Sequence, residues 1–263
     1  MYRFALRPVW ILSHLFAVAS IVAFVLLGAW QLDRHDQRAE RNETIEARAE
    51  LPPVPVSEAL AEVGCADWPD CGEAPADEIR FRDVSAEGTY GEDVLLVDNR
   101  SKDGLPGAWV LAPLQLDDGS VLVVNRGFQF NDSASGAIDP PPPPAGTVAV
   151  EGYVAVWEGG SCGVRTDDSG APVGMACLRE DTAEAVFGAD VLPVVVQAQR
   201  SDPADADVLD PVPLPELGAG PHRSYAVQWF TFATLAAIVY PLILRRKAKG
   251  QRVEGATLED VPG

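Results

Sequence analysis

VWILSHLFAVASIVAFVLLGAW, Val9 to Trp30, runs 22 residues without an Asp, Glu, Lys or Arg. As an α-helix rising 1.5 Å per residue it covers about 33 Å, enough for the hydrocarbon core of a bilayer. YAVQWFTFATLAAIVYPLIL, Tyr225 to Leu244, is a second uncharged run, of 20 residues. A backbone in lipid must satisfy its own hydrogen bonds, so both runs read as transmembrane helices, 9–30 and 225–244. Pro241, in the last turn of the second, should bend or fray that end only. The competing reading of the first run is a cleaved signal peptide with Arg3 and Arg7 as its basic region. The run is longer than such an apolar core, and no A-x-A site follows it. The competing reading of the second is a buried core helix. Arg245, Arg246, Lys247 and Lys249 directly after it instead mark a stop-transfer boundary.

Lys and Arg at the outer flanks of both spans put residues 1–8 and 245–263 in the cytoplasm. Residues 31–221 then form an extracytoplasmic domain, which carries 36 of the 39 acidic residues and 12 of the 20 Lys and Arg. Trp10, Trp30 and Trp229 lie near span ends, where an aromatic belt is expected. The net charge of −19 over 263 residues argues against a nucleic-acid partner, because phosphate binding needs surplus cations. The 47% hydrophobic content excludes a wholly disordered chain.

After the first span, Asp33–Glu50 is rich in helix formers with opposite charges three and four apart, so the helix should continue outwards as a solvated stalk. Pro52, Pro53 and Pro55 stop it. From about residue 79 the pattern has period two. It gives candidate strands Arg80–Tyr90, Val94–Asn99, Ala108–Leu116, Val121–Phe128, Val148–Ala155 and Val194–Arg200. Leu116-Asp117-Asp118-Gly119 is a hairpin signal. Pro140–Pro144 reads as a polyproline II connector, and Asp181–Phe187 as a short helix. The fold class is a membrane α+β protein: two transmembrane helices flanking an extracytoplasmic antiparallel β-sheet or partly closed barrel.

Cys65 and Cys71 bracket one loop-like stretch; Cys162 and Cys177 bracket another. Two local disulfides are the simplest account in an oxidising compartment, although four cysteines allow three pairings. A zinc or copper site, or thiol redox chemistry, is the alternative. No C-x-x-C and no nearby His supports it.

No nucleophile motif, P-loop or dinucleotide fingerprint is present, and the chain has only His14, His35 and His222, so nothing points to an enzyme. The informative polar residues sit at the outer span ends. Trp30, Gln31 and Arg34 share turns of the first helix; His222, Tyr225 and Trp229 line one face of the second, with Arg223 to its side and Gln228 nearby. Aromatics, guanidinium groups and an imidazole at one membrane depth would suit a flat anionic ligand such as haem, with neutral His222 as axial ligand and Arg clamping propionates. The plainer reading is a set of interfacial anchors. His14, near the cytoplasmic side, reads as a snorkelling residue.

Three motifs carry a resemblance: LGAWQLDR (Leu27–Arg34), VLVVNRGF (Val121–Phe128) and HRSYAVQWF (His222–Phe230). In order and spacing they resemble the Surfeit locus protein 1 (Surf-type) family of cytochrome c oxidase assembly factors, over about residues 9–244. The resemblance implies a non-enzymatic assembly factor in the bacterial cell membrane, with both termini cytoplasmic. It would bind haem a and assist its insertion into oxidase subunit I beside other assembly factors. By motif position it implies that His222 is the iron ligand. Trp30, Gln31, Arg34, Arg126, Gly127, Tyr225, Gln228 and Trp229 also match motif positions. Phe128 departs from the family's usual Trp, and the cysteine-bearing segments look like additions. A cofactor-free scaffold for nascent subunit I is the alternative, with a thiol redox or copper-delivery protein behind it.

Overall fold

A computed structural model describes residues 6–66, 68, 76–132, 138–158, 160–188 and 191–259. The chain divides into two compact units. One is drawn from the chain up to Glu43 and from Leu217 on; the other is Thr44–Glu216.

The first unit is a helix pair. α1 (Pro8–Ala49) contains the first apolar run and continues without a break through the charged stalk. α5 (His222–Glu259) contains the second. Both are long and apolar enough to cross a membrane. α5 runs on past Pro241 to Glu259, so the helix continues through the proline that was expected to bend or fray its end. The helices lie antiparallel, as contacts along their length require. The Tyr240 hydroxyl lies 2.5 Å from His14 Nδ1 and 3.1 Å from Ser13 Oγ. Phe24 stacks on Trp229 at 5.8 Å and tilts against Phe232 at 5.9 Å. The Phe230 ring lies across Gly28, where a Cβ would come within 2.8 Å of it. His14 therefore has Tyr240 as a neighbour on the facing helix, where the sequence suggested simple snorkelling.

The second unit is built on a barrel. Its strands are β1 (Val54–Pro55), β2 (Asp83–Tyr90), β3 (Leu95–Lys102), β4 (Leu105–Leu116), β5 (Val121–Phe130), β6 (Thr147–Val156), β7 (Val164–Thr166), β8 (Pro172–Met175) and β9 (Val191–Asp202). Short helices α2 (Val56–Glu62), α3 (Ala76–Ile79) and α4 (Glu180–Phe187) complete it. The sheet order is β1-β2-β6-β9-β5-β4-β3-β8-β7, and β2 also pairs with β4. That extra pairing closes β2, β6, β9, β5 and β4 into a ring, with β3, β8 and β7 extending from β4.

The sheet is mixed, not purely antiparallel: β5 and β9 run parallel, as do β3 with β8 and β1 with β2. Parallel neighbours need a long crossover. For β5 and β9 it is the whole stretch from the end of β5 to the start of β9, in which β6 runs back on the far side of β9 and pairs with it antiparallel.

Burial on both faces explains the apolar runs. In β5, Leu122 and Val124 point into the barrel core with Val84, Leu114, Val150 and Val154, under α2 residues Val56, Ala59 and Leu60. The alternate residues Val121 and Val123 join a second core with Leu95, Leu111, Met175 and the α4 residue Ala183. Period-two side chains covered on both sides give a near-continuous hydrophobic strand. Between β4 and β5, the Asp118 carboxylate accepts bonds from the Ser120 amide (2.9 Å) and hydroxyl (2.6 Å), which lower its pKa. Gly119 takes φ +88° at the turn.

Cys162 and Cys177 form a disulfide with Cα atoms 6.0 Å apart, clamping the base of the β7–β8 hairpin. Cys65 is buried and disulfide-bonded; Cys71 lies outside the described residues.

Two tyrosines couple this unit to pH. Burial raises the pKa of Tyr90, with Asp205 adding to the rise and Arg126 opposing it. Burial likewise raises Tyr153, whose hydroxyl donates to the Pro213 carbonyl at 3.1 Å. With folded values above the ordinary 10.0, their contribution is full below pH 10 and is lost as the pH climbs towards the folded values. The melting temperature of the full chain should therefore fall progressively above about pH 10. A Tyr90→Phe, Tyr153→Phe double variant should lose part of that slope; an identical slope would refute the coupling.

Candidate functional site

The sequence-derived residues fall into two groups, one in each unit. In the helix pair, α1 turns Gly28, Gln31, His35 and Arg38 along one side, because steps of three and four residues share a helix face. Gly28 and Gln31 both meet α5. His222, the first residue of α5, places Nδ1 2.9 Å from Gln31 Oε1. An amide oxygen is only an acceptor, so the imidazole nitrogen donates.

The segment leading into α5 completes the end of the pair. Arg38 donates to the Gly218 carbonyl at 3.5 Å. Gly220 has φ +65°, in the left-handed region that favours glycine. A Cβ there would stand 3.1 Å from His222 Cδ2, 3.3 Å from His222 Nε2 and 3.3 Å from Arg38 Nη1. The missing methyl leaves space beside Nε2, and the guanidinium flanks the same space. His35, one turn beyond Gln31, has a buried Nδ1 with no hydrogen-bond partner among the described residues.

The other span-end residues are not drawn to this point. Trp30 is 49% exposed and Arg34 stacks over its ring at 5.7 Å. Arg34 also donates to Gln37 Oε1 at 2.9 Å, and Gln37 in turn donates to Asp33 at 2.8 Å. At about 100° per residue, Trp30 lies roughly 200° round the helix from Gly28, away from the seam. On α5, Tyr225, Arg223 and Gln228 are exposed, whereas Ala226 is buried and Trp229 turns inwards onto Phe24. Of the expected set, the structure brings His222 and Gln31 together, with Trp229 one helix face below. Sequence reasoning missed Arg38, His35 and Gly220. The heptad-like spacing of Gln31, His35 and Arg38 along α1 was the available signal.

The second group surrounds Arg126. Residue pairs Val110–Gly127 and Leu111–Asn125 leave Arg126 as the extra residue of a β-bulge, which re-aims its side chain. The guanidinium is fully buried and pairs bidentately with Asp205, Nε to Oδ2 at 2.8 Å and Nη2 to Oδ1 at 2.5 Å. Its remaining donors reach the carbonyls of Pro141 (2.8 Å) and Pro142 (3.1 Å), so the proline run is tied to the barrel. Gly127 has φ +147°, and a Cβ on it would meet the Asp210 carbonyl oxygen at 2.8 Å. Phe128 pairs with Asp210 there, its amide donating at 2.7 Å. Beneath, buried Asn125 donates to Gln197 Oε1 at 2.6 Å and accepts from the Gly127 amide at 3.1 Å. The guanidinium of Arg126 and the side-chain amide of Asn125 thus bond to the protein's own residues. The three cysteines among the described residues are disulfide-bonded, which leaves none of them as an open thiol ligand.

Comparison with known proteins agrees with the family resemblance. Curated relatives include an uncharacterised SURF1-like protein of Mycobacterium tuberculosis and its counterpart in Mycobacterium bovis. Each is 27% identical over 255 residues, covering 96% of this chain and 90% of the relative. A SURF1-like protein of Dictyostelium discoideum is 30% identical over 122 residues, covering 46% of this chain and 43% of the relative. The SURF1 family model matches residues 18–234, a stretch that takes in part of each apolar run, residues 18–30 and 225–234, together with the Arg126 bulge and the His222–Gln31 contact. The chain therefore belongs to the SURF1 family.

Proposed function

We propose that this chain is a non-enzymatic assembly factor for the terminal cytochrome c oxidase, holding haem a for delivery to subunit I. In this reading it spans the bacterial cell membrane twice with both termini cytoplasmic, and it works beside other oxidase assembly factors. The observation that carries it is the end of the helix pair. His222 has Nδ1 engaged by Gln31 Oε1 at 2.9 Å, and Nε2 stands beside the space left by Gly220. A neutral imidazole with one nitrogen fixed and the other bare is the donor that haem iron takes. The adjacent Arg38 supplies a cation for a propionate, a pairing in which guanidinium fits a carboxylate bidentately. Family membership supports the oxidase context, and haem a is the cargo that oxidase subunit I requires.

These residues bind, orient and shield; they transform nothing. The Phe24–Trp229–Phe232 cluster lines the same helix pair with aromatic surface suited to a flat macrocycle and its apolar tail. In cells dependent on this chain, His222→Ala should leave the protein in the membrane at normal amount while subunit I accumulates without haem a. Undiminished haem-loaded oxidase would favour the cofactor-free scaffold instead.

A further inference from the structure

Gln31 occupies a motif position, yet its side chain points at another residue of the chain and not at open space. Its Oε1 accepts from His222 Nδ1, which selects the imidazole tautomer with the proton on Nδ1 and the lone pair on Nε2. Arg38 Nη1 and His222 Nε2 each lie 3.3 Å from the point a Gly220 Cβ would take, so the glycine leaves the side of the ring that carries Nε2 without a methyl against it.

We infer that Gln31 is a positioning residue: it fixes the His222 tautomer and ring plane, so that Nε2 stands ready as a ligand before haem arrives. Ligating histidines are commonly held in this way through their other ring nitrogen, and losing the partner costs roughly 10–100-fold in affinity. Gly220 belongs to the same device, because any side chain there would fill the approach to Nε2. The inference rests on the haem reading above for its purpose, but its physical content is testable without haem.

The test is nitrogen NMR of the full chain in lipid nanodiscs, haem-free, with labelled histidine and a buffer alkaline enough to keep imidazoles neutral. The His222 signals are assigned by their loss in His222→Ala. The native chain should show protonated Nδ1 and bare Nε2. Gln31→Leu should populate both tautomers, and Gln31→Glu, which keeps an acceptor oxygen, should restore the native pattern. In protein purified from cells making haem a, Gln31→Leu should weaken pigment retention by about 10–100-fold. Gln31→Glu should retain pigment with a more negative midpoint potential, since a carboxylate makes the imidazole more basic. A proton on Nε2 in the native chain, or a tautomer unchanged by Gln31→Leu, would overturn the inference. A tautomer that responds as expected in a chain that never takes up haem would instead remove the haem reading, leaving Gln31's hold on the ring in place.

Discussion

Arg126→Ala should be the most destabilising single change in the barrel unit, costing about 3–5 kcal/mol, because it strips one partner from a buried ion pair and leaves the other uncompensated. The Arg126 side chain is fully buried and that of Asp205 nearly so. The loss also frees the Pro141 and Pro142 carbonyls, which the same guanidinium holds. Arg126→Lys should recover little, since a single ammonium cannot make the fork to Asp205 and reach two carbonyls at once. Asp205→Asn should fall between the two, keeping one oxygen acceptor while leaving the guanidinium charge buried. Denaturant unfolding of the full chain in detergent, followed by the strand signal in circular dichroism, measures this. Midpoints within error of the native chain would refute this stabilising role of the Arg126–Asp205 pair. A pigment lost in Arg126→Ala would follow from unfolding, so the variant separates fold from site when set beside His222→Ala.

The contrast between the two motifs is physical. Both lie in motifs that carry the family resemblance, His222 as the implied iron ligand and Arg126 with Gly127 as a structural motif. Arg126 sits on a bulge, its three guanidinium nitrogens making four hydrogen bonds, two to Asp205 and one to each of two proline carbonyls. His222 keeps one ring nitrogen beside a gap. The Arg126 hydrogen bonds tie loops to the barrel, whereas the proposal for His222 rests on the ring nitrogen that Gln31 does not engage.

Much of this architecture is written locally. The two uncharged runs, the helical stalk and the Asp118-Gly119 turn each depend on contiguous residues, and each lies where the sequence puts it. The six strands are recognisable because β4, β5, β6 and β9 carry alternating or doubly covered apolar residues. What escaped depends on distant partners. β7 is a three-residue strand exposed on both faces, and β8 begins with proline, so neither has a hydrophobic period to read. α2 begins at Val56 directly after a proline that seemed only to end the stalk. Ring closure rests on β2 pairing with both β6 and β4, and the parallel β5–β9 seam rests on a crossover of more than thirty residues; no local signal encodes either.

The site divides in the same way. Helical spacing correctly groups Gln31 with the residues one turn either side, but it also invites Trp30 and Arg34 into the cluster. Adjacent residues on a helix point about 100° apart, so Trp30 cannot face α5 when Gln31 does. Which of the two faces inwards is fixed by Gly28 and Phe230 meeting across the pair, a contact between residues about two hundred positions apart. Arg38 was read as part of a solvated stalk because its partner, the Gly218 carbonyl, lies in a loop near the other end of the chain.

His222→Ala carries the second large effect, because removing the imidazole takes away the proposed iron ligand, whose ring Gln31 holds. The change leaves Gly28, Phe24, Trp229 and the Tyr240 contacts untouched, so the pair should still assemble and the barrel should melt as before. The loss should be specific to pigment. Arg38→Ala should reduce pigment less, since a propionate clamp adds to binding without supplying the metal bond. Reduced-minus-oxidised absorbance of the full chain, purified from cells that make haem a, settles the matter beside His222→Ala at equal protein and equal barrel stability. Native protein should carry a haem a spectrum that the variant lacks; a native chain without haem a, or a variant with an undiminished spectrum, would contradict the assignment of His222 as the haem ligand.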